Sequence, residues 1–196
     1  MERTKIGYLK VILGPMYAGK TSELIRIYNT YSSIDHNSIA VINYADDKRY
    51  ANKDDVKYIV THNDKKLPSL SYYNLLDFIN EINLSRYNVI LINEGQFFKD
   101  LYTMVDLLVN TYNKKVYVCG LDGDYKRNKF GDILDLISIS DDVVKLKSIC
   151  MKCQKDAIFT HRKIADNKKQ TLIGDNIYEP LCRYCYNKAN NIKNEK

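Results

Sequence analysis

Gly14-Pro15-Met16-Tyr17-Ala18-Gly19-Lys20-Thr21 has the spacing of a phosphate-binding loop, Gly-x4-Gly-Lys-Thr, directly behind the apolar run Val11-Ile12-Leu13. Glycines let backbone N–H groups turn toward an anion, and a helix starting just behind them adds a partial positive charge. In such a loop Lys20 reaches the outer phosphates, and the Thr21 hydroxyl takes the magnesium that travels with them. A second apolar run, Val89–Ile92, leads into Asn93-Glu94-Gly95-Gln96-Phe97-Phe98. If a substrate hydroxyl attacks a γ-phosphate, a base must accept its proton, and Glu94 is the candidate. Asn93 can orient a magnesium-bound water but brings no charge. Phosphoryl transfer leaves the protein mainly positioning and charge stabilisation, so an arginine is expected to share that work. Arg49 and Arg127 both lie in suitable loops.

Cys150-x2-Cys153 and Cys182-x2-Cys185 are separated by 28 residues. Two such knuckles supply four thiolates that can close a tetrahedral shell around zinc. With every position filled by protein the metal is structural, and it contributes folding free energy to a segment too small for its own core. Four reduced core thiols are the plainer alternative. Cys119 sits inside an apolar run and reads as core, and His36, His62 and His161 show no ligand spacing with the cysteines. The stretch between the knuckles is a tether pinned at both ends. Thr171-Leu172-Ile173-Gly174, followed by Tyr178, can fold over a small ligand and exclude water, or can simply pack on the main domain.

These groups need elements to position them. A helix is expected from the loop to about Ser32, carrying Leu24, Ile25, Ile27, Tyr28 and Tyr31 at helical spacing. Ser38–Ile42, Val89–Ile92, Val116–Leu121 and Val143–Leu146 read as buried strands. Ser69 is expected to cap a helix bearing Leu75, Leu76, Phe78, Ile79 and Ile82, and Leu101–Val109 reads as another helix. Residues 43–68 are polar and irregular, long for a connection, and Ile133–Ile139 fits no single pattern. Strands alternating with helices imply an α/β domain with a mostly parallel sheet, whose ligands sit at the carboxyl ends of the strands. Residues 1–147 are expected to form that nucleotide-binding domain, 148–188 a zinc-binding lasso domain, and 189–196 a disordered tail.

Bulk composition excludes some classes. Apolar residues make up 45%, enough for a sizeable core, yet no apolar run approaches the ~18 residues that span a bilayer. No secretory leader is evident, so a cytoplasmic protein without a membrane partner is expected. The net charge of +6 suits a polyanionic ligand, but much of the excess lies in Lys168-Lys169 and the tail, so nucleic acid is not the expected partner. Seventeen tyrosines beside abundant Asn, Ile and Lys look like AT-rich coding rather than base stacking.

Taken together, these residues resemble the cellular-type (type II) thymidine kinases. The likeness runs through Gly14–Thr21, Asp47-Lys-Arg-Tyr50, Thr61-His62, Glu94–Phe98, Leu121–Tyr125, Phe130-Gly131 and Val143–Leu146. It continues in Cys150–Cys153, Ile173-Gly174, Tyr178 and Leu181–Tyr186, which is nearly the whole chain. It implies a RecA-like P-loop domain with a zinc lasso, and transfer of the ATP γ-phosphate to the 5′-hydroxyl of thymidine with Mg²⁺. On the ATP side it implies Gly14, Pro15, Met16, Tyr17, Ala18, Gly19, Lys20, Thr21, Asp47, Arg49, Asn93 and Gln96, with Glu94 as general base and Lys20 and Arg49 acting on the phosphates. On the thymidine side it implies Met16, Phe97, Leu121, Tyr125, Phe130, Thr160 and Tyr178, with the lasso Gln170, Thr171, Leu172, Ile173 and Gly174 reading the base through its backbone. A homotetramer and feedback inhibition by dTTP are also implied. Asn93 stands where the family pattern has aspartate, and the interval from Gly174 to Tyr178 is one residue shorter than in many relatives. Two other readings remain: a P-loop ATPase with the zinc segment as a docking module, and a basic zinc-ribbon protein binding nucleic acid.

Overall fold

The computed structural model describes residues 6–35, 38–45, 58–60, 65–164, 170, 172 and 177–192. The apolar run ahead of the phosphate loop is β1 (Tyr8–Leu13), and the helix behind it, α1, spans Lys20–Asp35. Then follow β2 (Ile39–Tyr44), β3 (Tyr58–Val60), β4 (Lys66–Pro68), β5 (Leu70–Tyr72) and α2 (Leu75–Glu81). The chain continues through β6 (Val89–Ile92), α3 (Leu101–Asp106), β7 (Lys115–Gly120) and β8 (Asp142–Lys145). A six-stranded sheet in the order β5-β2-β6-β7-β1-β8 is parallel at every pairing.

A parallel sheet is covered on both faces, which is why its strands read as nearly continuous apolar runs. Alternation sorts their side chains. Leu9, Val11, Leu13, Ile90, Ile92, Val116 and Val118 face one side, with Leu75, Phe78, Leu101 and Val105 of α2 and α3. Ile12, Val41, Leu91 and Cys119 face the other, with Leu24, Ile25 and Ile27 of α1. Cys119 is therefore core, as its apolar neighbours imply.

The structure departs from the sequence pattern in three places. Ser69 caps no helix: α2 begins at Leu75 behind Asn74, and Leu70–Tyr72 instead pairs in parallel with β2. The open edge of β2 offers backbone groups that a local cap cannot match. Residues 58–60 and 66–68 are not irregular, because β3 and β4 form an antiparallel pair that seats Ile59 and Leu67 on the α1 side. The ambiguous Ile133–Ile139 contains a short 3₁₀ turn, Asp135–Ile139, that buries Leu136.

Beyond β8 the elements become short. β9 (Ser148–Ile149) pairs with β10 (Asp156–Ala157), β11 (Phe159–Arg162) pairs with β12 (Tyr178–Leu181), and α4 (Arg183–Ala189) follows. Cys150, Ala157, Leu181, Cys182 and Tyr186 form a small separate cluster, too little apolar mass to hold a fold by itself. Among the described residues, no helix is long and apolar enough to cross a membrane.

Candidate active site

Because the strands are parallel, the residues following β1, β2, β6 and β7 emerge on one edge of the sheet. After β1 the chain turns at Gly14, whose φ of +151° and close approach to Leu146 exclude a side chain: a Cβ there would lie 2.7 Å from the Leu146 carbonyl oxygen. The loop closes as α1 begins at Lys20, with the Gly19 carbonyl accepting from the Glu23 N–H at 2.9 Å. Lys20 is 9% exposed, and its ammonium donates to the Pro15 carbonyl at 2.8 Å, across the mouth of the loop. The result is a cup at a helix start with one cation folded over it, an arrangement whose charge suits a polyphosphate.

After β6 the chain delivers Asn93 and Glu94 to the same cup. The Asn93 amide donates to Asn43 Oδ1 at 2.8 Å, while its Oδ1 accepts from the Cys119 thiol at 3.1 Å and the Thr21 hydroxyl at 3.4 Å. Thr21 and Asn93, both expected beside magnesium, are thus brought together. The donor set there is a hydroxyl and an amide oxygen, oxygen ligands of the kind Mg²⁺ takes. Glu94 is 8% exposed and occupies the left-handed region at φ 54°, ψ 43°, uncommon for a residue with a side chain. Gln96, expected on the ATP side, has its amide donating to Glu94 Oε2 at 2.6 Å and its oxygen accepting from the Leu121 N–H at 3.0 Å.

The described residues among those expected on the nucleoside side fall into two main contact groups, one around Phe97 and one around Arg162. Phe97 stacks on Tyr44 at 5.3 Å and meets the edge of Phe130 at 5.3 Å. Tyr125 lies under the Arg162 guanidinium at 3.6 Å. Arg162 also donates to the Tyr178 hydroxyl at 3.0 Å and to the Gln170 carbonyl, and Tyr178 accepts from the Leu172 N–H at 2.9 Å. Gln170 donates to Asp124, whose carboxylate also holds the N–H groups of Lys126 and Asn128. Thr160 Oγ1 accepts from the Met16 N–H at 3.0 Å, and Ser148 donates to the Tyr17 carbonyl at 3.1 Å, so the cysteine lobe grips the phosphate loop directly. Asp47, Arg49, Thr171, Ile173 and Gly174, with His36 and His62, lie outside the described residues.

Sequence reasoning overlooked Arg162 and Asn43, and gave Asp124 no role of its own within Leu121–Tyr125. Arg162 and Thr160 alternate on β11 and are both buried while Phe159 and His161 are half-buried, a period-two signal present in Thr-His-Arg. Arg127, the other arginine expected to share the charge stabilisation, is engaged with the rings of the cysteine lobe. Its guanidinium lies 4.9 Å over the Tyr186 ring and 5.5 Å over Phe159. With the Tyr186 hydroxyl donating to the Tyr125 carbonyl at 2.6 Å, it fastens the cysteine lobe to the main domain.

The four paired cysteines converge. Their Sγ atoms all lie within 4.8 Å of one another, and Cys153 and Cys182 are 3.6 Å apart. That is far from the ~2.05 Å of a disulfide and close to the ~3.8 Å edge of a tetrahedron with ~2.3 Å Zn–S bonds. Burial alone would raise the Cys150 thiol, but the backbone amides of Cys182, Lys152 and Cys153 stabilise its thiolate and bring it down to about 6. Burial and three neighbouring sulfurs push Cys185 up to about 12. Four sulfurs converging at this spacing match the tetrahedral thiolate shell that zinc takes, so the donor set fits zinc. His161 makes no approach to this set; it pairs with Glu179 at 3.4 Å, and burial lowers its basicity despite that carboxylate.

A family-wide sequence model described as thymidine kinase matches residues 7–186. The chain belongs to the thymidine kinase family. Thymidine kinase a of Arabidopsis thaliana is 40% identical over 95% of this chain and 77% of its own. The thymidine kinase of rice is 38% identical over 92% of this chain, which spans 66% of the rice protein's length. The thymidine kinase of sheeppox virus is 36% identical over 92% of this chain and 97% of its own. Membership makes the protein a nucleoside kinase, a phosphotransferase, and its parallel sheet carries beside it four clustered cysteines that could hold a metal ion. Among solved structures, domain III of the Thermotoga maritima replication initiation protein DnaA aligns with a TM-score of 0.40 and 18% identity, over 74% of this chain and 57% of that one, too slight to carry an argument.

Proposed function

We propose that the protein transfers the γ-phosphate of ATP to the 5′-hydroxyl of thymidine, giving dTMP. The observation that carries this is the placement of Glu94. It is a buried carboxylate with the phosphate loop's Thr21 linked to its neighbour Asn93 on one side, and the Phe97 aromatic wall starting three residues on. A nucleoside on that wall presents its sugar to Glu94, and a triphosphate in the Gly14–Thr21 cup presents its outer phosphate to the same point.

Glu94 accepts the 5′-hydroxyl proton as the new P–O bond forms. Lys20 holds charge on the transferring oxygens, and Asp47 and Arg49 approach the phosphates as the resemblance implies. Magnesium, when bound near Thr21 and Asn93, supplies charge neutralisation on the phosphates. Phe97, Phe130 and Tyr125 exclude water from the base, Met16, Leu121 and Thr160 border it, and Gln170–Gly174 reads the base edge through backbone groups, with Tyr178 anchoring that segment. Thymine's O2, N3–H and O4 then stay paired, and analogues that leave them unpaired are rejected. Zinc on Cys150, Cys153, Cys182 and Cys185 holds the 148–188 lasso against the 1–147 domain. A cytoplasmic homotetramer restrained by dTTP completes the reading.

A nucleoside panel tests it. With labelled Mg·ATP, thymidine is expected to be the preferred acceptor over deoxycytidine, deoxyadenosine and deoxyguanosine. Equal rates with all four, or none with any, contradict it.

A further inference from the structure

Gln96 is 3% exposed and held at both ends, by Glu94 Oε2 at 2.6 Å and by the Leu121 N–H at 3.0 Å. The space around it is cleared. A Cβ on Gly120 would land on Gln96 Oε1, and a Cβ on Gly131, itself at φ +59°, would land on the Gln96 carbonyl oxygen. Two glycines on two different segments thus make room for one glutamine. Glu94, in its left-handed backbone conformation, is a residue whose side chain gains from an external hold.

From this geometry we infer that Gln96 is a positioning residue for the phosphoryl transfer. It fixes the rotation of the Glu94 carboxylate and ties it to Leu121 on the nucleoside side, instead of binding ATP. The inference rests on Glu94 being the base. A neutral amide suits the task, because it orders a carboxylate without the ion pair that a lysine or arginine would impose and that would sap its basicity.

The test is a double-mutant cycle. Single-turnover rates and steady-state KM values are measured with Mg·ATP and thymidine for Gln96→Met and Gln96→Glu, each in the native and the Glu94→Gln backgrounds. Met keeps length and loses both hydrogen bonds; Glu keeps size and the acceptor for Leu121 and loses the donor. Each single change is expected to lower the rate about ten- to hundredfold, with KM for ATP moved less than about threefold. In the Glu94→Gln background Gln96→Met is expected to cost less than about threefold, since nothing remains to be held. A tenfold rise in KM for ATP with the rate retained overturns the inference, as do equal fold losses in both backgrounds. Should Gln96→Met fail to fold, Gln96→Leu, equally uncharged and without either hydrogen bond, carries the same comparison. A Glu94→Gln enzyme with an undiminished rate would instead overturn the base assignment itself.

Discussion

Asn93→Asp tests the metal side of the site in two directions at once. Asn93 is 3% exposed, and its amide donates to Asn43 Oδ1 at 2.8 Å. Aspartate replaces that donor with an oxygen, so Asn43 must turn its own amide over or leave two acceptors face to face. A buried carboxylate costs several kcal/mol in desolvation. The donors on hand, the Cys119 thiol at 3.1 Å and the Thr21 hydroxyl at 3.4 Å, are weak or long and offset only part of it. Net destabilisation of about 1–3 kcal/mol follows for the nucleotide-free protein. At about 2–4 °C per kcal/mol for a chain of this size, Tm falls by about 2–12 °C. Adding Mg·ATP supplies the missing cation, so most of that loss is recovered. The magnesium concentration for half-maximal rate is expected to fall about tenfold, equivalent to about 1.4 kcal/mol. Scanning calorimetry with and without Mg·ATP, alongside a magnesium titration of the initial rate, reads both effects. An unchanged Tm with unchanged magnesium dependence, or a loss of stability that Mg·ATP does not restore, refutes the reasoning.

Three further outcomes follow from the same contacts. Stripping zinc with a strong chelator is expected to abolish kinase activity and return with about one zinc per chain, because the lobe that it closes holds Met16 and Tyr17 through Thr160 and Ser148; full activity of metal-free protein contradicts this. Arg162→Met removes a guanidinium 3.6 Å over Tyr125 and its bonds to Tyr178 and Gln170, so KM for thymidine is expected to rise at least about tenfold with KM for ATP nearly constant, a cation–π contact alone being worth about 2 kcal/mol when desolvated. Equal rises in both KM values would count against that role. Gly131→Ala is expected to cost more than about 3 kcal/mol in urea unfolding, because a methyl group meets the Gln96 carbonyl at a left-handed φ; a loss below about 1 kcal/mol contradicts it.

What the sequence made legible was local. Gly14–Thr21 between an apolar run and a helical period announces itself, because the turn, the cation and the helix start are adjacent in the chain. The cysteine pairs are legible because zinc fixes their spacing. Leu70–Tyr72 was illegible because its strand state depends on the open edge of β2, 28 residues back in the chain, and not on its own pattern. Arg127 illustrates the converse: its position in a loop near the site suited a phosphate ligand, yet the rings of Tyr186 and Phe159 claim it. Asn43 escaped notice because its partner Asn93 becomes visible only when β2 and β6 pair in register.

The most direct measurement follows the phosphate. Zinc-replete protein is incubated with Mg·ATP labelled at the γ-position, with and without thymidine, and the label is located. The account predicts that it appears on the 5′-oxygen of thymidine, that little inorganic phosphate forms without the nucleoside, and that Glu94→Gln lowers the transfer about a hundredfold or more. Label released as inorganic phosphate at the same rate whether or not thymidine is present would contradict it.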